Sequence, residues 1–423
     1  MNIHRNQIIP NIEFPLALDA DINPKRIYDY SSAKIKDGDI FYLMQRDLRL
    51  DDNDALKFAV NLAQNTDKNL KIIVQKPYSE TNLKKLFFQI QIYELEMNLK
   101  KHKFDYQIYD ETFIKKHFDF SKIGALVIDF NPIDDKKYLK NCDCKIFEVD
   151  THNIIPARYV SEKQEYNAAT LRRKIYFYIN EFLTLSQNSY AKNSYAQKAL
   201  SDFIKYRLQD YAEFKNDPQK QVLSGLSKFL NLGFLSSKSV VQAVLEANVT
   251  DKNKEAFLEE LIVRKELADN FCLYNPDFKS VASGPSWGVF SLNKHNNDMR
   301  TYIYTRDEFE HALTHDDVWN ACQRQLVKEG TIHGYLRMYW AKMILQWALT
   351  YREAFDIAIY LNDKYAVDAP SSNGYVGVLW SMTGLHDRPF VEKEVSGKIR
   401  TMTQKNLLKK YNLENYLKRY GII

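Results

Sequence analysis

The sequence predicts an α/β domain with a parallel sheet followed by an all-helical domain, on three observations. Between Asp39 and Asp150, short apolar runs recur at Ile40–Met44, Ile72–Val74, Tyr106–Ile108, Ala125–Ile128 and Ile146–Val149. Segments of helical spacing such as Leu86–Leu99 separate them, and strands alternating with helices imply parallel pairing through right-handed crossovers. Beyond Lys198 the periodicity is helical almost throughout, and that half holds all five tryptophans, Trp287, Trp319, Trp340, Trp347 and Trp380.

The elements follow in order. Residues 1–38 carry Pro10, Pro15 and Pro24 without a clear period and read as an irregular arm. Residues 39–150 form the α/β domain, and residues 151–197 a crossing linker with one helix, Ala168–Phe182. Residues 198–423 form the helical domain, with strong segments at Phe257–Asp269, Arg306–His315, Val318–Lys328, Leu336–Ala348 and Arg352–Leu361. Gly284–Pro285, Gly330 and Ala369–Pro370 break them. The absence of a repeat of 20–50 residues argues against a solenoid.

Composition narrows the class. A chain of 423 residues with 45% hydrophobic and 27% charged residues is neither collagen-like nor wholly disordered. No run approaches the ~18 apolar residues of a membrane span, and the first residues lack a signal-peptide core, so a cytosolic protein is expected, nucleoid-associated in a prokaryote. Cys142, Cys144, Cys272 and Cys322 are too few for a disulfide scaffold or a zinc site. The net charge of +5 permits nucleic acid without demonstrating it, but Lys393–Arg419 holds eight basic residues against two acids. That stretch is either a solvated helical face or a phosphate-binding one.

Four clusters bear possible chemistry. Gln45-Arg46-Asp47-Leu48-Arg49 leaves the first strand and meets Asp52-Asn53, a helix cap. It is either a ligand crevice or an Arg–Asp pair tying the turn to the domain interface, and no GxGxxG or GxxxxGK[ST] follows. Leu223-Ser224-Gly225-Leu226-Ser227 places hydroxyls and free N–H groups at a helix start, which suits a phosphate or a plain Ser cap. In Glu259–Glu266, the i, i+4 spacing puts Glu260 and Arg264 on one face, as a cavity wall or a surface ion pair. Trp340 and Trp347, seven residues apart, share a helix face as core packing does, and Asp368 in the following turn is placed to pair with Arg337. His311 and His315 have metal-ligand spacing but no third ligand, so no metal is expected.

These residues carry a resemblance. Met44–Asp47 with Asp52–Leu56, Asp150–Pro156 with Lys163–Tyr166, Phe257–Asn270, Trp319–Gln323, His333–Lys342 and Tyr360–Tyr365 resemble class II DNA photolyases from about residue 39 to residue 400. The resemblance implies a Rossmann-like, antenna-type α/β domain and a helical, FAD-binding catalytic domain. It also implies light-driven splitting of cyclobutane pyrimidine dimers by electron transfer from excited reduced FAD, the active form being FADH⁻. Tyr211, Leu223, Ser224, Gly225, Leu226 and Ser227 match the segments around the FAD diphosphate and ribitol; Arg337 and Asp368 match the ion pair beside the isoalloxazine, and Asn362 the Asn near N5. Glu260 matches the acid that hydrogen-bonds the flipped dimer, a donor if burial keeps it protonated, with Asn216, Met338 and Trp380 in the same pocket. Arg388 and Arg400 match DNA contacts. Trp340, Trp319 and Trp347 match the electron relay, in that order outward. The implied partner is dimer-containing DNA, bound by a monomer without a membrane, and a second antenna chromophore of unknown identity accompanies FAD in this reading.

The sequence departs from the family at Leu48, Asp54 and Lys228, where Gln, Trp and Pro are usual. The first two bear on antenna binding or domain packing, the third on the phosphate segment. Two other readings compete: a cryptochrome-like blue-light sensor that keeps FAD and loses repair, and a non-flavin helical nucleic-acid module.

Overall fold

The computed structural model describes residues 7–13, 18–19, 21–186 and 192–421. Six strands form one sheet: β1 (Ile27–Asp29), β2 (Ile40–Met44), β3 (Leu70–Lys76), β4 (Asp105–Asp110), β5 (Ala125–Asp129) and β6 (Lys145–Val149), in the spatial order β1-β6-β5-β2-β3-β4. The five strands from β2 to β6 are parallel. β5 is buried at every residue, as a central strand covered on both faces requires.

β1 corrects the reading of the first residues as an irregular arm. It pairs antiparallel with β6, Ile27 opposite Val149. A three-residue edge strand offers no alternation to detect. What fixes it is Arg26, whose guanidinium donates to the carbonyls of Asp150, Asn153, Ile154 and Phe182.

The expected strands and helices otherwise stand where the periodicity puts them. Asn53 caps α1 (Asp54–Asn65) by accepting from the Leu56 N–H. α2 (Asn82–Lys101) encloses the predicted segment, and α3 (Ala168–Phe182) has the predicted bounds. In the second half, α4 (Asp251–Leu258) runs through a π-helical turn at Glu259–Arg264 into α5 (Lys265–Tyr274). Then come α6 (Asp317–Glu329), α7 (Gly334–Trp347), α8 (Tyr351–Tyr365) and α9 (Ser372–Thr383). The reading missed α9, whose Gly374 and Gly377 blur the apolar period. It also extended the segment at Arg306 too far, since that helix ends at Glu310. No helix among the described residues is long and apolar enough to cross a membrane.

One apolar core runs from the sheet into the helical half, from Ile40 and Tyr42 to Ile262 and Leu267. A buried polar seam lies beside it. The Asp129 carboxylate at the end of β5 accepts the N–H groups of Gln45, Arg46 and Asp47 on one oxygen, at 2.8, 2.8 and 3.0 Å, and the Tyr42 hydroxyl on the other at 2.6 Å. That clamp fixes the turn after β2. Arg46 then crosses to Asp269 of α5 at 2.8 Å, and Arg49 bonds Asp47 and the Gly233 carbonyl. Gly233 has φ +62, and a Cβ there would come within 2.6 Å of the Asp47 Cα, so only glycine fits. The Arg–Asp tie across the interface is thus formed.

The departures from the family have local partners. Leu48 is buried and donates its N–H to the Leu232 carbonyl. Asp54 forms ion pairs with Lys238 at 3.2 Å and Arg26 at 3.4 Å. Lys228 lies over the rings of Phe87 and Phe229.

Candidate active site

Two adjoining cavities in the helical half gather most of the singled-out residues. The first, about 180 Å³, is lined by Tyr211, Ser224, Ser227, Glu260, Asp368 and Asn373, together with Arg46, His152, Lys265 and Asp269. The second, about 110 Å³, is lined by Arg337, Met338, Trp340, Asn362, Gly374 and Trp380. Asn373 lines both. Arg337 and Asp368 make their predicted pair across the two, Nη2 to Oδ1 at 3.6 Å.

The serine segment contributes less than its sequence suggests. Leu226 is buried in the core, the Leu223 carbonyl accepts from Arg207, and Gly225 at φ +67 is not among the residues lining either cavity. The helix that follows, Ser227–Leu230, is a single turn, too short for an appreciable dipole. Of the five residues only Ser224 and Ser227 line the first cavity.

Glu260 differs from expectation in two ways. The π turn inserts an extra residue, so Arg264 meets Glu259 at 3.3 Å, and Glu259 in turn holds Arg172 at 2.6 Å. Glu260 bonds Lys215 at 2.8 Å and is half-exposed, so it is not the buried residue expected. Asn216 is exposed and lines neither cavity. Arg388 and Arg400 are exposed and line neither cavity; both lie over the Phe390 ring, at 5.7 and 5.9 Å. Lys342 stands 5.7 Å from the Trp380 ring, and burial pushes its ammonium down to about 8.

The tryptophans form a continuous stack. Trp340 and Trp319 are parallel within 5° at 6.4 Å, and Trp347 meets Trp319 edge-on at 6.3 Å. The Trp319 indole N–H donates to the Trp340 carbonyl, and the Trp340 indole N–H to Gln323. Trp340 lines the second cavity, which gives the order Trp340, Trp319, Trp347 away from it. Trp347 packs on His315 and Tyr304 near the surface.

Sequence reasoning missed His152, Lys265, Asp269 and Asn373. The available signal was Lys265, Glu266 and Asp269 within an otherwise apolar helix. Burial and the nearby Arg46 and Lys265 charges push the His152 imidazole down to about 3. A folded value below the unfolded 6.5 means that the unfolded chain takes up a proton first as pH falls. His152→Gln should therefore gain on the native protein by ~1.4 kcal/mol per pH unit below 6.5. Urea unfolding of both at pH 7 and pH 5 checks this; a constant gap would mean that the folded protein carries the imidazolium.

A larger cavity of about 420 Å³ lies between the domains, lined by Gln45, Gln75, Tyr78 and Lys84 from one side and Tyr360, Lys364 and Tyr375 from the other. Among the described residues no cluster of three or more His, Cys, Asp or Glu side chains is placed to hold a metal ion.

No protein-family model matches the chain. Solved structures of low identity share its fold. A class III photolyase from Agrobacterium tumefaciens superposes with TM-score 0.68 at 16% identity over 92% of this chain and 88% of its own. A cryptochrome from Synechocystis gives TM-score 0.68 at 14% identity over 91% and 89%. Sequence relatives come nearer. The deoxyribodipyrimidine photo-lyase of Oryza sativa is 37% identical over 64% of this chain and 62% of the relative, and that of Potorous tridactylus 34% over 70% and 63%. In those two the chain spans under two thirds of the relative's length. The deoxyribodipyrimidine photo-lyase of Arabidopsis thaliana is 33% identical over 90% of this chain and 88% of the relative. With such identity across nearly its whole length, added to the two-domain fold and the tryptophan stack, this chain belongs to the deoxyribodipyrimidine photo-lyase family.

Proposed function

We propose that the protein is a class II photolyase, repairing cyclobutane pyrimidine dimers in DNA with light and non-covalently bound FAD. One observation carries the reading: Trp340 lines a cavity shared with Trp380 and Met338, and a tryptophan stack leads from it toward the surface. A site that only sensed light would not need the apolar wall in front. The residues present suit a flavin dinucleotide. Arg337 and Asp368 lie where the two cavities meet, Asn362 is buried in the second, and Ser224 and Ser227 join Tyr211, Ser371 and Ser372 in giving the first its hydroxyls.

When bound there, reduced FAD would supply, on blue-light excitation, the electron for splitting the dimer and would take it back afterwards. The protein's own part is positioning. Photolyases are an established example of enzymes that extrude their target bases from the stack, a step a damaged pair makes cheaper. Trp380 and Met338 offer the extruded pair a flat apolar surface, while Arg388 and Arg400 hold the flanking phosphates, which makes binding salt-dependent. Glu260 reaches the dimer by leaving Lys215, and it must be protonated to donate to a pyrimidine carbonyl. The Arg337 guanidinium favours an anionic reduced flavin at its side. The cavity between the domains, with Tyr78, Tyr360 and Tyr375 on its walls, suits a planar antenna chromophore.

The test is anaerobic illumination of the reduced holoprotein with dimer-containing DNA. Thymine absorbance should return with light and not in the dark. A flavin spectrum without repair would leave a blue-light sensor, and a protein that takes up no FAD would end the reading altogether.

A further inference from the structure

Two of the four cysteines stand together in the α/β domain, and neither lines any of the three cavities described above. Cys142 closes the 3₁₀ turn Lys137–Asn141, and Cys144 comes just before β6. Their sulfurs are 3.2 Å apart. Backbone bonds hold both in place. The Cys142 N–H donates to the Leu139 carbonyl at 3.0 Å, and the Ser31 hydroxyl bridges the Cys144 carbonyl and the Ile146 N–H at 3.0 and 2.9 Å. Solvent meets the two sulfurs unequally: Cys144 is fully buried in a cluster with Ile128, Leu139 and Ile146, whereas Cys142 is half-buried. The Cys144 S–H, donating to the Cys142 sulfur, holds the Cys142 thiol below its usual range against burial and Asp143, and the nearby Lys36 charge assists. The same bond, with burial, pushes the Cys144 thiol up. Cys272 and Cys322 belong to the apolar core of the helical half, and burial pushes both of their thiols up.

We propose that Cys142 and Cys144 form a reversible dithiol–disulfide couple that exchanges with low-molecular-weight disulfides, Cys142 as the nucleophile and Cys144 as the resolving thiol. The thiolate is the attacking form, and of the four cysteines only Cys142 is both open to solvent and favoured in that form. Its sulfur bonds to one sulfur of the small disulfide and expels the other as a thiol. Cys144 then attacks the Cys142 sulfur of the mixed disulfide, and the second small thiol leaves. Two hydrogens, with their two electrons, pass from the protein to the small disulfide, which is reduced to two thiols as the Cys142–Cys144 bond forms. Closure brings the sulfurs from 3.2 Å to ~2.0 Å, a movement that side-chain rotation supplies. With only Asp143 between the two cysteines the ring is tight. Such a disulfide is easily reduced, so the pair stays a dithiol in reducing surroundings and closes under oxidative load.

Reduced protein is incubated with oxidised glutathione at neutral pH, blocked with iodoacetamide and digested with trypsin, which releases Cys142 and Cys144 on one peptide between Lys140 and Lys145. By mass spectrometry that peptide should lose two hydrogens and carry no alkyl group, and dithiothreitol should restore the dithiol. Cys272 and Cys322 should remain reduced. In Cys144→Ser the reaction should stop with one glutathione on Cys142. In Cys142→Ser the remaining buried thiol should take up glutathione about tenfold more slowly than Cys142 does in the other variant. A native peptide that keeps both thiols, or that holds glutathione on Cys142 without closing the ring, overturns the proposal. Equal rates in the two variants overturn it as well, since Cys144 would then be as open to attack as Cys142. Should either variant fail to fold, the native peptide decides alone.

Discussion

Trp319→Phe is expected to fold, to bind FAD like the native protein, and to lose most light-driven reduction of the oxidised cofactor. Phe keeps most of the apolar volume, so the fully buried site between α6 and α7 stays filled. The change still removes the indole N–H that bonds the Trp340 carbonyl, which costs about 1 kcal/mol and not the fold. What it removes functionally is the middle ring of the stack. Trp340 and Trp347 stand 6.4 and 6.3 Å from Trp319, which touches both. A benzene ring is much harder to oxidise than an indole, so photoreduction should slow more than tenfold, equivalent to ~1.4 kcal/mol or more on the barrier. Variant protein reduced with dithionite should still repair dimers. Bleaching of the oxidised flavin band at the native rate would leave Trp319 as a packing residue alone.

Asp129→Ala should be the most damaging single change in the α/β domain. The carboxylate satisfies three backbone N–H groups and the Tyr42 hydroxyl, all buried. Leaving each donor unpaired costs ~1–3 kcal/mol, so the sum rivals a typical stability of ~5–15 kcal/mol. Burial and Asp47 push Asp129 up to about 6, a sign that the site is strained toward the neutral acid even with four donors aimed at it. The variant should unfold at far lower denaturant and lose the turn that delivers Arg46. An urea midpoint equal to native would show that the turn holds without the clamp.

The parts legible in the sequence were those with a local signature. Period and caps placed β2 to β6, α1 to α3 and the helices around the tryptophans, because burial of one face repeats along each of them. Arg337 with Asp368 was legible because a helix end and a turn fix where each side chain starts. The floor of the first cavity was not, since Arg46 and Asp269 are 223 residues apart and nothing local in either demands the other. β1 escaped because three residues at a sheet edge carry no period, and Arg264 was paired with Glu260 instead of Glu259 because no residue type announces a π turn.

That turn constrains how the gene can change. In the Glu259–Arg264 segment the Lys265 N–H reaches back to the Glu260 carbonyl, one residue further than in an α-helix. Deleting a single residue there would restore ordinary helical bonding and cost the helix little. A π turn takes up one extra residue within a single wider turn, so the deletion would leave α5 near its present phase and remove only the bulge at Glu259–Arg264. Lys265 and Asp269 would keep their face to the cavity while Glu259 and Glu260 lost the places that let them reach Arg172 and Lys215, so the length of this turn sets the ion pairs of the two glutamates and not the cavity wall behind them.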